Sequence, residues 1–166
     1  MKKEILFLLT QDLESPSGLG RYRPMAKELA KRGFRVRILA LHPDYENLEQ
    51  KAQMVDGVEL HYFPLWKLPL VVLKAASRLK REGAKYQPDY VLVGKPHPMN
   101  GLAGISVARK TGAKLIVDCD DYETESNHYA NGLQKALVRH FEFSIPKKAW
   151  RVTTNTYFMK QKLIEA

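Results

Sequence analysis

Cysteine occurs once in this 166-residue chain, as Cys119, so no internal disulfide is available and the fold must rest on its own core. A chain of this length buries about two thirds of its unfolded surface, enough without covalent staples. Cys119 is expected as a small buried hydrophobe beside a strand end, in a reducing cytoplasmic compartment. Long hydrophobic runs are missing too, since nothing approaches the roughly 20 apolar residues that span a bilayer. The opening "MKKEILFLLTQD" is apolar only from Ile5 to Leu9 and has no small-residue cleavage site after it, so it reads as a strand and not as a secretion signal. Negative charge is scarce. With 18 Asp and Glu against 27 Lys and Arg, the net charge is +9, which attracts phosphate-rich partners. No RNA-recognition signature, zinc-finger spacing or helix-turn-helix accompanies it, and this argues against nucleic acid.

What is present is a regular alternation. After Ile5 to Leu9, a helix is predicted from about Gly20 to Arg32, with Tyr22, Met25, Ala26, Leu29 and Ala30 at helical spacing, Pro24 in its first turn and Gly33 as its stop. "FRVRILAL", "GVELHYFPL", "PDYVLVG", "AKLIVDC" and "WRVTT" read as further strands. Helices are predicted over Pro69 to Arg81, Asn100 to Lys110 closed by Gly112, Gly132 to Ile145, and from Asn155 onward with Thr154 or Asn155 as cap. This order predicts an α/β domain: a Rossmann-like, doubly wound, mostly parallel sheet with helices on both faces. Ligands of such sheets bind at the carboxyl ends of the strands, so the loops after Leu9, Leu41, Gly94, Asp118 and Thr153 are the ones to inspect.

The first of these, "SPSGLGRYRP", holds two glycines between strand and helix. A dinucleotide fingerprint fails here, because Arg23 stands at the third glycine position and the second strand ends "LALHP" without a ribose-binding acid. No phosphate loop ending in Gly-Lys-Ser/Thr exists either, and no cofactor is implied. The amides of Gly18, Leu19 and Gly20 at a helix N-terminus suit an anion; the alternative is that the glycines only permit a sharp turn. Asp118, Asp120 and Asp121 invite a metal reading, but three acids in four positions cannot complete a hard-cation cage and the calcium-loop glycine is missing. They are better suited to accept hydrogen bonds from hydroxyls. Lys95 and His97, in "KPHP", lie just past the fourth strand; Lys95 either helps hold a phosphate or is simply solvated.

Taken in succession, "SPSGLGRYRPMAKELAKRGFRVRILALH", "PDYVLVGKPHP", "AKLIVDCDDYE" and "WRVTTNTYFMKQKLIEA" resemble the N-terminal half of GT-B-fold retaining glycosyltransferases of the group 1, family 4 type. Ser17 replaces the first glycine of that family's opening loop, and the family's Glu-x7-Glu motif is not in the sequence. The resemblance implies that residues 1–166 form a single acceptor-side domain, with the nucleotide-sugar domain expected outside this chain, and that the piece alone folds but is essentially inactive. It implies a nucleotide-sugar donor as substrate and transfer to a hydroxyl with retention. Gly18, Leu19 and Gly20 would meet the donor diphosphate, and His97 would contact the donor sugar. Asp120 and Asp121 would complete the catalytic group, with Asp118 structural; Asp12, Glu14, Arg21 and Lys95 would stand on the acceptor side, and no metal is implied. A nucleotide-sugar epimerase and a stand-alone binding module for a phosphorylated ligand remain as alternatives.

The predicted helix after Pro69 has Val72, Ala75, Ala76 and Leu79 on one side and Lys74, Arg78 and Arg81 on another, with Trp66 upstream. This is either a core helix with a solvated charged face or a surface for an anionic membrane. Lipid-linked acceptors, common among the resembling enzymes, favour the membrane.

Overall fold

A computed structural model describes residues 2–11, 13–14, 18–65, 71–126 and 131–166. Strands β1 (Glu4–Leu9), β2 (Arg35–His42), β3 (Ala52–Val55), β4 (Val58–Pro64), β5 (Tyr90–Gly94), β6 (Lys114–Asp118) and β7 (Arg151–Thr153) form one sheet in the order β3-β4-β2-β1-β5-β6-β7. All neighbours pair in parallel except β3 and β4. The predicted class therefore holds. The helices are α1 (Arg23–Lys31), α2 (Val71–Gly83), α3 (Pro98–Thr111), α4 (Glu123–Ser126), α5 (Gly132–Ser144) and α6 (Tyr157–Glu165).

Strand β1 shows why both faces must be covered. Its alternate side chains enter two different cores: Leu6 and Leu8 pack with Leu79 of α2 and Ala103 and Val107 of α3, while Ile5, Phe7 and Leu9 pack with Tyr22 and Ala26. From β1 the chain builds outward through β2 and β4, then returns to place β5 on the other side of β1. The strand order reverses between β1 and β5, where two loops leave the sheet in opposite directions and open a space at its carboxyl edge.

Four local details differ from the sequence expectations. The first helix begins at Arg23, and Gly18–Tyr22 form a π-helical turn before it. Strand β3 was not expected; Asp56 and Gly57 both take positive φ (52° and 80°), the signature of a two-residue hairpin turn, and they fold β3 back on β4. The short helix α4 was not expected either. Finally, the last helix is capped by Thr156, whose hydroxyl accepts the Met159 amide at 3.1 Å, in place of Thr154 or Asn155.

Candidate functional site

The carboxyl ends of β1, β5 and β6 bring together Thr10, Lys95, His97, Asp118, Asp120, Asp121 and Glu123. Gly94 makes the close approach possible: a Cβ there would stand 2.5 Å from Leu9 Cδ2 and 2.7 Å from the Tyr22 ring. The turn carrying Gly18–Tyr22 therefore lies down on the ends of β1 and β5. Arg21 extends from that turn to the buried Asp118, with Nε 2.5 Å from Oδ2 and Nη2 2.6 Å from Oδ1. Thr153 of β7 donates its hydroxyl to the same carboxylate at 2.6 Å. Asp118 is thus a tie between three segments. The Arg21 guanidinium, expected at the acceptor, is partly exposed and engaged with Asp118, and that bond raises its pKa further. Tyr22 is fully buried beside these charges, and burial pushes its phenol up.

Lys95 is the next residue after β5 and adopts a left-handed backbone (φ 60°) that few non-glycine residues tolerate. Its amide donates to the Asp118 carbonyl at 3.0 Å, and Nζ reaches Asp121 Oδ2 at 2.7 Å, Glu123 Oε1 at 2.9 Å and Asp120 Oδ1 at 3.9 Å. Burial works against the ammonium, but the hydrogen bonds it donates to Asp121 and Glu123 outweigh it and raise its pKa. Asp120, Asp121 and Glu123 bring carboxylate oxygens within 4.8 Å of one another, a spacing that could hold a cation. Lys95 supplies a positive charge to that position from within the chain.

His97 caps the start of α3, with Nδ1 2.9 Å from the Thr10 hydroxyl and Nε2 3.2 Å from Glu123 Oε2. One turn on, the buried Asn100 donates its amide to the carbonyls of Leu8, Gly94 and Lys95, which joins the ends of β1 and β5. Glu123 is itself buried, and burial opposes its ionisation; the hydrogen bonds from His97 and Lys95 nevertheless hold its pKa down at about 2. Asp120 shows the opposite balance, raised by burial despite Lys95. Glu123 starts α4, and the buried Glu142 of α5 caps that helix by accepting the Glu123 and Thr124 amides at 2.6 and 3.2 Å together with the Thr124 hydroxyl.

The site residues inferred from sequence thus fall into two groups. Lys95, His97, Asp120 and Asp121 form one cluster, and Gly18, Leu19, Gly20 and Arg21 lie on the adjoining turn. Leu19 and Gly20 are exposed, and a Cβ on Gly20 would meet nothing within 4 Å. Glu14 is an exposed partner of Arg23 at 3.3 Å. Asp12 and Trp66 lie outside the described residues. Thr10, Asn100, Glu123 and Glu142 went unread in the sequence, because isolated polar residues carry no spacing that marks them; for Glu123, only its place past the acidic "DCDD" was available as a signal. Cys119 is buried, and burial pushes its thiol up, away from nucleophile range. On α2, Lys74 is exposed with no ion pair among the described residues, whereas Arg78 and Arg81 share Glu82 at 3.5 Å each.

Among solved structures, the fold matches a putative UDP-N-acetylglucosamine 2-epimerase from Listeria monocytogenes (TM-score 0.68, 15% identity, 99% of this chain and 42% of that one). It also matches UDP-GlcNAc 2-epimerase from Methanocaldococcus jannaschii (TM-score 0.62, 15% identity, 98% and 42%). A third is Arabidopsis thaliana UGT89C1 complexed with UDP-L-rhamnose (TM-score 0.54, 13% identity, 99% and 48%). The chain spans less than half the length of each. At these identities the likeness shows the fold alone, and comparison with curated proteins gives no match. The profile of glycosyltransferase family 4, however, matches residues 22–166, from the end of the glycine turn through α6, and on that extent the chain belongs to glycosyltransferase family 4.

Proposed function

We propose that this chain is the acceptor-side half of a retaining glycosyltransferase that moves a sugar from a nucleotide donor to a hydroxyl acceptor. The observation that carries the reading is the meeting of His97, Lys95, Asp120 and Asp121 with the glycine turn at the point where strand order reverses. In this reading the backbone amides of the exposed residues Leu19 and Gly20, with Gly18, support the donor diphosphate as charge develops on the leaving group. His97 contacts the donor sugar, while Asp120 and Asp121 accept hydrogen bonds from sugar hydroxyls and orient the acceptor. Lys95 holds the carboxylates close, and with Asp12 and Arg21 completes the acceptor side. A second domain supplies most of the nucleotide contacts, so the two reactants are held across a cleft. The acceptor is lipid-linked in this reading, and Lys74, Arg78 and Arg81 on α2, with Trp66 upstream in sequence, meet the anionic membrane that carries it.

An epimerase acting on the nucleotide sugar alone is the second reading, favoured by the likeness in fold to the Listeria monocytogenes and Methanocaldococcus jannaschii 2-epimerases. The deciding experiment expresses the coding sequence read past Ala166 and incubates the product with a panel of nucleotide sugars, with and without hydroxyl acceptors. Glycoside formation with retained anomeric configuration, lost on His97→Ala, is the expected result. Epimerised donor without acceptor supports the second reading, and an inverted product overturns the first.

A further inference from the structure

Glu123 touches both His97 and Lys95, one carboxylate oxygen to each: Oε2 is 3.2 Å from His97 Nε2, and Oε1 is 2.9 Å from Lys95 Nζ. A carboxylate offers only acceptors, so the nitrogen facing it must carry a proton. We infer that Glu123 is the positioning residue of this site, and that it fixes neutral His97 in the Nε2–H tautomer with the Nδ1 lone pair turned toward Thr10. The low pKa of Glu123 is consistent with this, since the carboxylate stays ionised at neutral pH.

The rest of the network agrees with that assignment. Thr10 has one hydroxyl proton and two acceptors in range, His97 Nδ1 at 2.9 Å and Gln11 Oε1 at 3.2 Å. With Nδ1 unprotonated, Thr10 gives its proton to the nearer partner, and the Gln11 amide, whose Nε2 is otherwise buried without a hydrogen bond among the described residues, turns that NH2 toward the Thr10 oxygen, so that every close pair has one donor. The Nδ1–H tautomer would set the Nε2 lone pair against an ionised carboxylate. Glu123 cannot turn away from this duty, because Glu142 holds the amides on which its helix begins. Lys95 blocks the other exit by occupying Oε1. The consequence for a ligand is specific: the only nitrogen of His97 able to accept a hydrogen bond from a sugar hydroxyl is Nδ1, and the hydroxyl must take the place of Thr10 to reach it. This last step rests on the glycosyltransferase reading; the tautomer does not.

The inference separates Glu123→Gln from other changes. Lys95 can only donate, so the glutamine carbonyl turns to Lys95 and its NH2 faces His97 Nε2, which must then become a lone pair. The variant should invert the tautomer to Nδ1–H. The test is 15N–1H correlation NMR on the imidazoles of the 166-residue chain, at alkaline pH where the imidazole signals no longer change with pH. His97 is assigned among the 5 histidines through His97→Gln. Expected are an Nε2–H signature in the wild type, Nδ1–H in Glu123→Gln, and an unchanged Nε2–H signature in Thr10→Val, which keeps the carboxylate. An Nδ1–H wild type, or a Glu123→Gln variant that keeps Nε2–H, overturns the inference. If Glu123→Gln does not fold, a Thr10→Val protein that loses Nε2–H does the same. In the two-domain enzyme proposed above, Glu123→Gln should lower kcat/KM at least ten-fold with partial rescue by Glu123→Asp. Tautomers as stated with no transfer by the wild type would leave Glu123 in place and refute the transferase reading.

Discussion

Arg21 and Asp118 lie 97 positions apart in sequence and share two hydrogen bonds, at 2.5 and 2.6 Å, that fasten the glycine turn to the tip of β6. One partner is fully buried and the other partly exposed. The turn's position over the sheet therefore depends on an ion pair whose removal leaves an uncompensated charge inside the domain. Arg21→Ala should cost about 3 kcal/mol in chemical denaturation, and Arg21→Ala with Asp118→Ala together should cost less than the two singles summed. Additive singles would show that the pair does not hold the turn.

Gly20→Ala separates turn geometry from anion binding. Its Cβ would enter open space, so stability should stay within about 0.5 kcal/mol of the wild type. The same methyl group would stand where the donor diphosphate is proposed to approach. Nucleotide-sugar affinity of the proposed two-domain enzyme should fall several-fold while its melting temperature holds. An unchanged affinity would indicate that the glycines serve only the turn.

Acid should destabilise the domain through Glu123. Its folded pKa of about 2 lies below the ordinary 4.5, so the stability it contributes is complete above about pH 4.5 and is lost as pH falls toward 2, at most about 3 kcal/mol. Asp120 and Glu142 are raised, so their contribution runs the other way: it is fully present at low pH and withdrawn as pH rises through their folded values. Urea denaturation from pH 6 to 2 on wild type and Glu123→Gln checks this, with a flatter acid limb expected for the variant.

Glu142 tests whether the cap in trans matters. Glu142→Ala leaves the Glu123 and Thr124 amides without their buried acceptor and should cost about 2 kcal/mol. Glu142→Gln keeps an acceptor oxygen at a site where burial already disfavours the charge, and should cost clearly less. Equal losses for the two variants would mean that the volume of the side chain, and not its capping, is what counts.

Gly94→Ala drives a Cβ to 2.5 Å from Leu9 and 2.7 Å from the Tyr22 ring. Overpacking of this kind costs about 1–3 kcal/mol, and here the strain falls on the residue that ends the glycine turn. Both melting temperature and donor affinity should drop together, in contrast with Gly20→Ala.

Much of the framework could be read from residue order. The apolar runs Ile5 to Leu9 and Tyr90 to Gly94 are strands because a strand buried on both faces shows continuous hydrophobicity. Gly33 and Gly112 end their helices at positive φ, as their places in the pattern indicate. The β3–β4 hairpin was also legible, in the Asp56-Gly57 pair, but β3 is short and half exposed and its apolar signal is weak. Helix α4 was not legible. Its four residues hold together because Glu142, far along the chain, satisfies amides that its own sequence leaves unpaired.

The sequence by itself determined the α/β class, the strands whose ends matter, and the candidate residues Lys95, His97, Asp120 and Asp121, because burial periodicity and loop position are local properties. Only the tertiary structure decided what each charge does. Arg21 and Asp118 became a fastening, Lys95 became the counter-charge of three carboxylates, and the unremarked Glu123 became the centre of the site. These roles depend on which side chains meet across strands β1, β5 and β6, and on how burial and pairing balance there; neither is encoded in spacing along the chain.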